Sequence, residues 1–301
     1  MQNEEIMKYY WDNKIEYLMK SRELYFNDDY LQFLIEKVWK ITSPINMIDF
    51  GCGFGYLGIK LLPLLPKGTT YTGIDKGEEL LRKAKDIFKE LPYKANFIQA
   101  DVNKIQISEN RFDLATCQAL LLHMESPKEI LNKMIESVKP GGKVICIEPH
   151  RISCTANSYI AELSEETPIE LGNIQKIHQA YKDKTGKDGN IGFKMPNLMR
   201  ECGLVEIECR VSDKVTYQNS DFDLEKRKHI FKILKSEGIC PPPVEDEEEY
   251  LKRLLKNNLN SREAKKQIEI DKKLNTELTN NGLFYNILFA PTMMISFGER
   301  K

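Results

Sequence analysis

Asp49-Phe50-Gly51-Cys52-Gly53-Phe54-Gly55-Tyr56-Leu57-Gly58 is the stretch on which the fold turns. The apolar run INMIDF (45–50) leads into it and YLGIKLLPLL (56–65) leads out, so a strand pattern gives way to a helical one across the glycines. A glycine turn between strand and helix lets a ligand approach the backbone closely. Two readings compete. Gly53-Phe54-Gly55-Tyr56-Leu57-Gly58 fits the G-x-G-x-x-G fingerprint of dinucleotide binding, which seats a negative pyrophosphate. Asp49, followed by the alternating Gly51, Gly53 and Gly55, instead suits a cationic ligand.

Working outward, the same alternation recurs. TTYTGID, ANFIQAD, RFDLATCQ and KVICIEP read as further strands, with helices over EELLRKAKDIFKEL and PKEILNKMIESV and a turn at Pro140-Gly141-Gly142. Five strands with intervening helices imply a parallel sheet covered on both faces. On the N-terminal side, residues 4–39 carry apolar residues at helical spacing, with Asn27 or Asp28 as an N-cap and Ser43-Pro44 as the break. Beyond residue 150, helices are expected over SYIAELSEE, IQKIHQAYKDK and MPNLMRECG, then one strand over LVEIECRVSDKVTY. Residues 221–280 read as charged helices interrupted by Pro241-Pro242-Pro243, with the acidic run Glu245–Glu249 at a helix start. NILFAPTMMISFGER reads as a terminal strand. The division expected is a helical cap (1–42), a ligand-binding core (43–150), a helical insertion with a sixth strand (151–220), a second helical insertion (221–282) and the terminal strand (283–301).

Charge separates the two readings of the glycine turn. Asp49, Asp75 and Asp101 close the first, second and third strands, which lines three carboxylates along one sheet edge. A diphosphate would be repelled there. S-adenosylmethionine, with a sulfonium and an ammonium near its reactive end, would be held. Asp75 falls 20 residues after Gly55, where an acid can accept both ribose hydroxyls. That feature serves either cofactor, so the weight rests on Asp49 and Asp101.

With these pieces in order, the chain resembles the class I S-adenosylmethionine-dependent methyltransferases. DFGCGFG, YTGID, IQADV, FDLATCQALLLHM and VKPGGKVICIEP carry the resemblance, within residues 46–149, about a third of the chain. It implies a Rossmann-like α/β fold: a seven-stranded, mostly parallel sheet with helices on both faces, an antiparallel last strand, and helical cap elements. It also implies cofactor roles. Gly51, Cys52 and Gly53 would line the methionine moiety with backbone, Asp75 would hold the ribose and Lys76 would sit beside the adenine. Asp101 and Val102 would bind the adenine edge. Cys117 or Gln118 would meet the methionine ammonium through backbone carbonyls. The tyrosines around Tyr10, with Trp11, would close over the methionine end.

Composition bounds the acceptor. Lys plus Arg (44) nearly cancels Asp plus Glu (45), so the net charge of -1 gives no bulk attraction to nucleic acid or an anionic membrane. The opening MQNEEIMKYYW has no secretory pattern, and no apolar run approaches the roughly 20 residues of a membrane span. Seven cysteines without a C-x-x-C pair read as reduced thiols in a cytoplasmic protein, with no metal site. No [DN]-P-P-[YFW] follows strand four, which weighs against adenine amines in nucleic acid, and no proline precedes Cys117, which weighs against a covalent cytosine mechanism. A small-molecule acceptor is therefore expected. A protein or RNA methyltransferase is the alternative; an NAD-dependent oxidoreductase and a binding module without catalysis are further ones. For a general base, His150 with Glu148 beside it, and His123 in LLLHM, are the candidates near strand ends, while His178 and His229 sit on charged helices and are expected at the surface.

Overall fold

The computed structural model of the chain describes residues 9–163 and 170–301. Residues 4–8 and 164–166, the ends of two expected helices, lie outside the described residues.

The N-terminal segment is a broken helix. A 3-10 turn at Tyr10–Lys14 leads into α1 (Ile15–Ser21), then a second 3-10 turn, and α2 (Asp28–Phe33) runs on into a π-helical turn at Leu34–Val38. Asn27 holds the N-cap position of α2 but makes no cap bond. Its amide donates instead to Asp213 Oδ2 at 2.7 Å. Next come β1 (Asn46–Phe50), α3 (Tyr56–Leu61), β2 (Thr70–Asp75), α4 (Glu78–Lys89), β3 (Lys94–Gln99), β4 (Phe112–Gln118), α5 (Pro127–Ser137) and β5 (Val138–Pro149). The rest is α6 (Arg151–Ala156), β6 (Ser158–Ile160), α7 (Leu171–Thr185), α8 (Met195–Glu201), β7 (Val205–Val211), β8 (Thr216–Gln218), α9 (Leu224–Ser236), α10 (Glu247–Lys256), α11 (Ser261–Asn281), β9 (Ile287–Phe289) and β10 (Met293–Glu299).

Seven strands form one sheet in the order β3-β2-β1-β4-β5-β10-β7. β1 to β5 pair in parallel, and β10 is antiparallel to both β5 and β7. This is the Rossmann-like sheet with an antiparallel last strand that the resemblance implies. Alternate residues of each strand enter different cores, as the two-residue strand period requires. Met47, Leu114, Ile145 and Ile147 pack with Leu57 and Leu61 of α3 and Leu81 and Phe88 of α4. Ile48, Phe50, Ala115 and Val144 pack with Ile130, Leu131 and Met134 of α5 and Met195 and Met199 of α8. Strands buried on both faces read as near-continuous apolar runs, which is why β1, β2, β4 and β5 stand out in the sequence.

Four expectations are corrected. Ser158–Ile160, taken as part of a helix, is a strand, paired antiparallel with Ile287–Phe289 in a small sheet of order β6-β9-β8. LVEIECRVSDKVTY divides into β7 in the large sheet and β8 in the small one. The terminal stretch divides likewise into β9 and β10 around Ala290-Pro291, because proline has no N–H to donate to a ladder. Pro140-Gly141-Gly142 is not a turn before β5 but lies within it: Val138 already pairs with Phe112, and the register slips before Lys143 pairs with Leu114.

The stretch after β8 is helical as its sequence suggests. Asp246 caps α10, accepting from Glu249 N at 2.9 Å, and Asn260 and Glu263 form a reciprocal capping box on α11. α10 and α11 close on a small core of their own, Leu254, Leu259, Ala264 and Ile268.

Candidate active site

The strand order reverses between β1 and β4, and in open α/β sheets ligands bind in the crevice outside the strand ends at such a point. The glycine turn lies there. Gly53 has φ +55°, a left-handed conformation that favours glycine, and a Cβ built on it would meet nothing within 4 Å. The backbone thus borders open space. Gly51 and Gly55 share the left-handed conformation, at φ +66° and +83°. The Cys52 amide donates to Ile74 O at 2.9 Å, which ties the turn to β2.

Asp75 holds the turn from the other side. One carboxylate oxygen accepts from Gly53 N and the other from Gly77 N, both at 2.8 Å. Burial pushes its pKa up, against the pull of these amides. Each oxygen keeps a further lone pair for a ligand hydroxyl. Asp49 is deeper. It accepts from the Tyr71 hydroxyl at 2.7 Å and from Thr116 Oγ1 at 3.2 Å, and burial pushes its pKa up to about 7. Asp101 is nearer solvent: it accepts from Asn103 N at 2.9 Å and faces Lys76 Nζ at 3.4 Å.

Two cavities run along this edge. One, of about 100 Å3, is bordered by Asp49, the Gly51–Gly53 backbone, Asp75 and Gln118. The next, of about 580 Å3, is bordered by Asp75, Lys76, Asp101 and Val102. Tyr9, Trp11, Leu120 and His123 border both. The aromatic cover is therefore Tyr9 and Trp11, whereas Tyr10 is 62% exposed and borders only the larger space. Gln118 is buried, borders the smaller cavity, and leaves its Nε2 without a partner. A buried amide donor left unmade costs roughly 1–3 kcal/mol, so a ligand acceptor there would be rewarded. Cys117 turns the other way: its thiol lies 3.7 Å from Glu148 Oε1 in the core shared with α5 and α8.

The base candidates separate by position. Glu148 is fully buried, and its carboxylate accepts from the amides of Leu120, Leu121 and Leu122 at 2.9, 2.8 and 3.3 Å. It fixes the loop after β4 and borders neither cavity. His150 caps α6, with Nδ1 accepting from Ser153 N at 3.2 Å, and its ring stacks on Phe193 at 4.0 Å. It borders neither cavity either. Only His123 of the three faces the cleft, with its ring 5.1 Å from Trp11; burial pushes its pKa down to about 4, so it is neutral at pH 7. His229 is at the surface beside Glu23, while His178 is half-buried rather than exposed.

Sequence reasoning missed a polar cluster at the inner end. The Tyr17 and Tyr25 hydroxyls donate to Glu237 Oε1 at 3.1 and 3.4 Å, and Arg151 Nη1 lies 4.0 Å from Glu237 Oε2. Burial raises the pKa of both tyrosines, which keeps them protonated donors. Tyr17, Tyr25 and Arg151 border the smaller cavity. Arg151 and Glu237 also border a third space, of about 780 Å3, between α6, α7 and α11. These residues are far apart in sequence, and no motif announces them.

Comparison with known proteins places the chain. The family model described as "Methyltransferase domain" matches residues 41–191, half of the 301-residue chain. The chain belongs to this methyltransferase-domain family, which agrees with its resemblance to the class I S-adenosylmethionine-dependent methyltransferases. Among curated relatives, a ubiquinone biosynthesis O-methyltransferase of Rickettsia felis is 26% identical over 145 residues, 47% of this chain and 57% of that protein. One of Coxiella burnetii is 31% identical over 99 residues, 33% of this chain and 41% of that protein. The matches thus span about half the length of these relatives. Among solved structures, the YcgJ protein of Bacillus subtilis superposes with a TM-score of 0.51 at 12% identity, covering 91% of this chain and 99% of that one, which shows a shared fold. Among the described residues no helix is long and apolar enough to cross a membrane.

S-adenosylmethionine suits the residues present. The open side of Gly53, the unpartnered Gln118 amide and the carboxyl groups of Asp49, Asp75 and Asp101 offer room, a donor and acidic partners along one sheet edge.

Proposed function

We propose that the chain transfers a methyl group from S-adenosylmethionine to an oxygen of a small-molecule acceptor. The observation that carries this is the set of carboxyl groups at the ends of β1, β2 and β3 around one glycine turn, bordering two neighbouring cavities that share Asp75. A pyrophosphate would meet repulsion from the same groups, so a dinucleotide is disfavoured. The curated relatives named as O-methyltransferases of ubiquinone biosynthesis support an oxygen acceptor on a small molecule.

In this reading Asp75 binds the ribose hydroxyls, and Asp101, Val102 and Lys76 border the adenine. The Gly51, Cys52 and Gly53 backbone and the Gln118 amide hold the methionine end. Asp49 lies below it, its pKa lifted by burial to about 7, and fixes the turn through Tyr71 and Thr116. Tyr9 and Trp11 cover the cleft, and Tyr10 borders its outer part. The helical stretches 1–42 and 221–282 act as caps, joined where Tyr17 of α1 meets Glu237 beyond α9.

The cofactor supplies an already activated methyl group for in-line displacement. The chain's own task is to orient the acceptor and exclude water, and orientation alone supplies roughly 7–11 kcal/mol. His123, neutral beside the cleft, adds no charge to repel a cationic cofactor; with its pKa held at about 4 it is a weak base at neutral pH. His150 and Glu148 serve as a helix cap and a loop anchor. Incubation with methyl-labelled S-adenosylmethionine and a pool of hydroxylated small molecules tests this. The expected result is S-adenosylhomocysteine formation that depends on an acceptor. Label moving only to added protein or RNA, or to nothing across a broad acceptor set, contradicts it.

A further inference from the structure

The smaller cleft cavity, at about 100 Å3, is well under the roughly 300–1,000 Å3 of ordinary ligand pockets. It has no room for an acceptor body beside a cofactor. The third cavity, at about 780 Å3, falls within that range and neighbours the cleft, with Arg151 bordering both. Its wall is mostly apolar, formed by side chains such as Ile160, Ile174, Ile177, Ile270, Leu274 and Phe289. Among the described residues, the charged groups on the wall are Arg151, Glu237 and Asp271. None of them is a free charge awaiting a counterion. Arg151 faces Glu237 at 4.0 Å, and Glu237 also takes the two tyrosine hydroxyls. Asp271 accepts from the Tyr250 hydroxyl at 2.5 Å and from Gln267 Nε2 at 3.0 Å. An ionic head would find its partner already engaged. A neutral hydroxyl could still bond to the rim of the Arg151–Glu237–Tyr17–Tyr25 cluster.

We propose that this cavity binds the body of the acceptor, and that the acceptor is a neutral amphiphile: a long apolar chain or ring system ending in a hydroxyl, which the polar cluster at Arg151 presents to the cleft. The role as acceptor rests on the methyl-transfer reading above; the binding site itself does not. Burying an apolar body here removes it from water, while the hydroxyl is the part left facing the methyl donor.

The test uses the full chain and the fluorescent apolar probe N-phenyl-1-naphthylamine, displaced by dodecanol, dodecanoate or dodecylamine. The expected result is saturable probe binding, displaced at lower concentration by dodecanol than by either ion. Leu274→Trp and Ile174→Trp, each filling the cavity from a different helix, should weaken probe binding about tenfold or more, which corresponds to 1.4 kcal/mol. S-adenosylhomocysteine affinity, measured by calorimetry on the same samples, should hold, which shows the fold intact. No saturable binding, or unchanged probe affinity in both variants, overturns the site; preference for the amine or the carboxylate overturns the neutral head. Failure of S-adenosylhomocysteine to bind the unmodified chain while probe binding persists sinks the methyl-transfer reading and leaves the amphiphile site standing.

Discussion

Asp49 shows how one side chain serves both the fold and the site. Its carboxyl is buried under the glycine turn, and desolvation raises its pKa to about 7 against the hydrogen bonds from Tyr71 and Thr116. In the unfolded chain an aspartate titrates near 3.9. Between about pH 4 and 7 the folded state therefore holds a proton that the unfolded state has lost, and stability falls as pH rises through that window. Glu148, raised by burial to about 7, acts in the same direction. His123, its pKa held down at about 4, pulls the other way below about pH 6.5, so the readout is a difference: in thermal melts from pH 5 to 8, the Tm of Asp49→Asn relative to the unmodified chain should rise with pH. A slope unchanged in the variant would mean that Asp49 is ionised throughout. Position 49 was legible in the sequence as an acid beside glycines. Its partners were not, because Tyr71 and Thr116 lie on neighbouring strands that only the sheet brings within reach.

At the scale of elements, α4 is held by a residue from outside itself. Its N-cap position is Gly77, which has no side chain to accept from the first turn. Asp12 reaches in from the N-terminal segment and accepts from Leu80 N at 3.1 Å. A Cβ at Gly77 would come within 2.6 Å of that carboxylate, so the glycine makes room for the borrowed cap. Losing a cap costs about 0.5–2 kcal/mol. Asp12→Ala should therefore lower stability by about 1 kcal/mol in denaturant titration and speed proteolysis of the N-terminal segment; equal stability and equal cleavage would show that the contact carries no weight. The elements around the glycine turn were readable because doubly buried strands are continuous apolar runs and the intervening helices are amphipathic. The later strands were misread for a physical reason. β6, β8 and β9 are three residues each, too short to show a period, and exist only because they pair with one another. Likewise Glu148 and His150 sit where catalytic residues would sit along the chain, yet their side chains satisfy backbone amides. Strand-end position is visible in a sequence, while the direction of the side chain depends on the loop it anchors.

For the whole molecule, the sheet, the cleft and the helical additions form one arrangement. The parallel strands bring three acids and a glycine turn to one edge, Tyr9 and Trp11 lie over it, and the α1–α9 contact through Tyr17 and Glu237 closes its inner end. The central claim is that this edge holds S-adenosylmethionine, and its product S-adenosylhomocysteine is the most direct probe. Calorimetric titration should show one site, with Asp75→Ala weakening it by about one to two decades, since a hydrogen bond to a charged group is worth roughly 1.5–3 kcal/mol. The variant's thermal melt must remain cooperative, because Asp75 also holds the Gly53 and Gly77 amides. NAD titrated in parallel should give no heat of binding. Binding of NAD with none of S-adenosylhomocysteine, or an affinity for S-adenosylhomocysteine untouched by Asp75→Ala, would contradict the account.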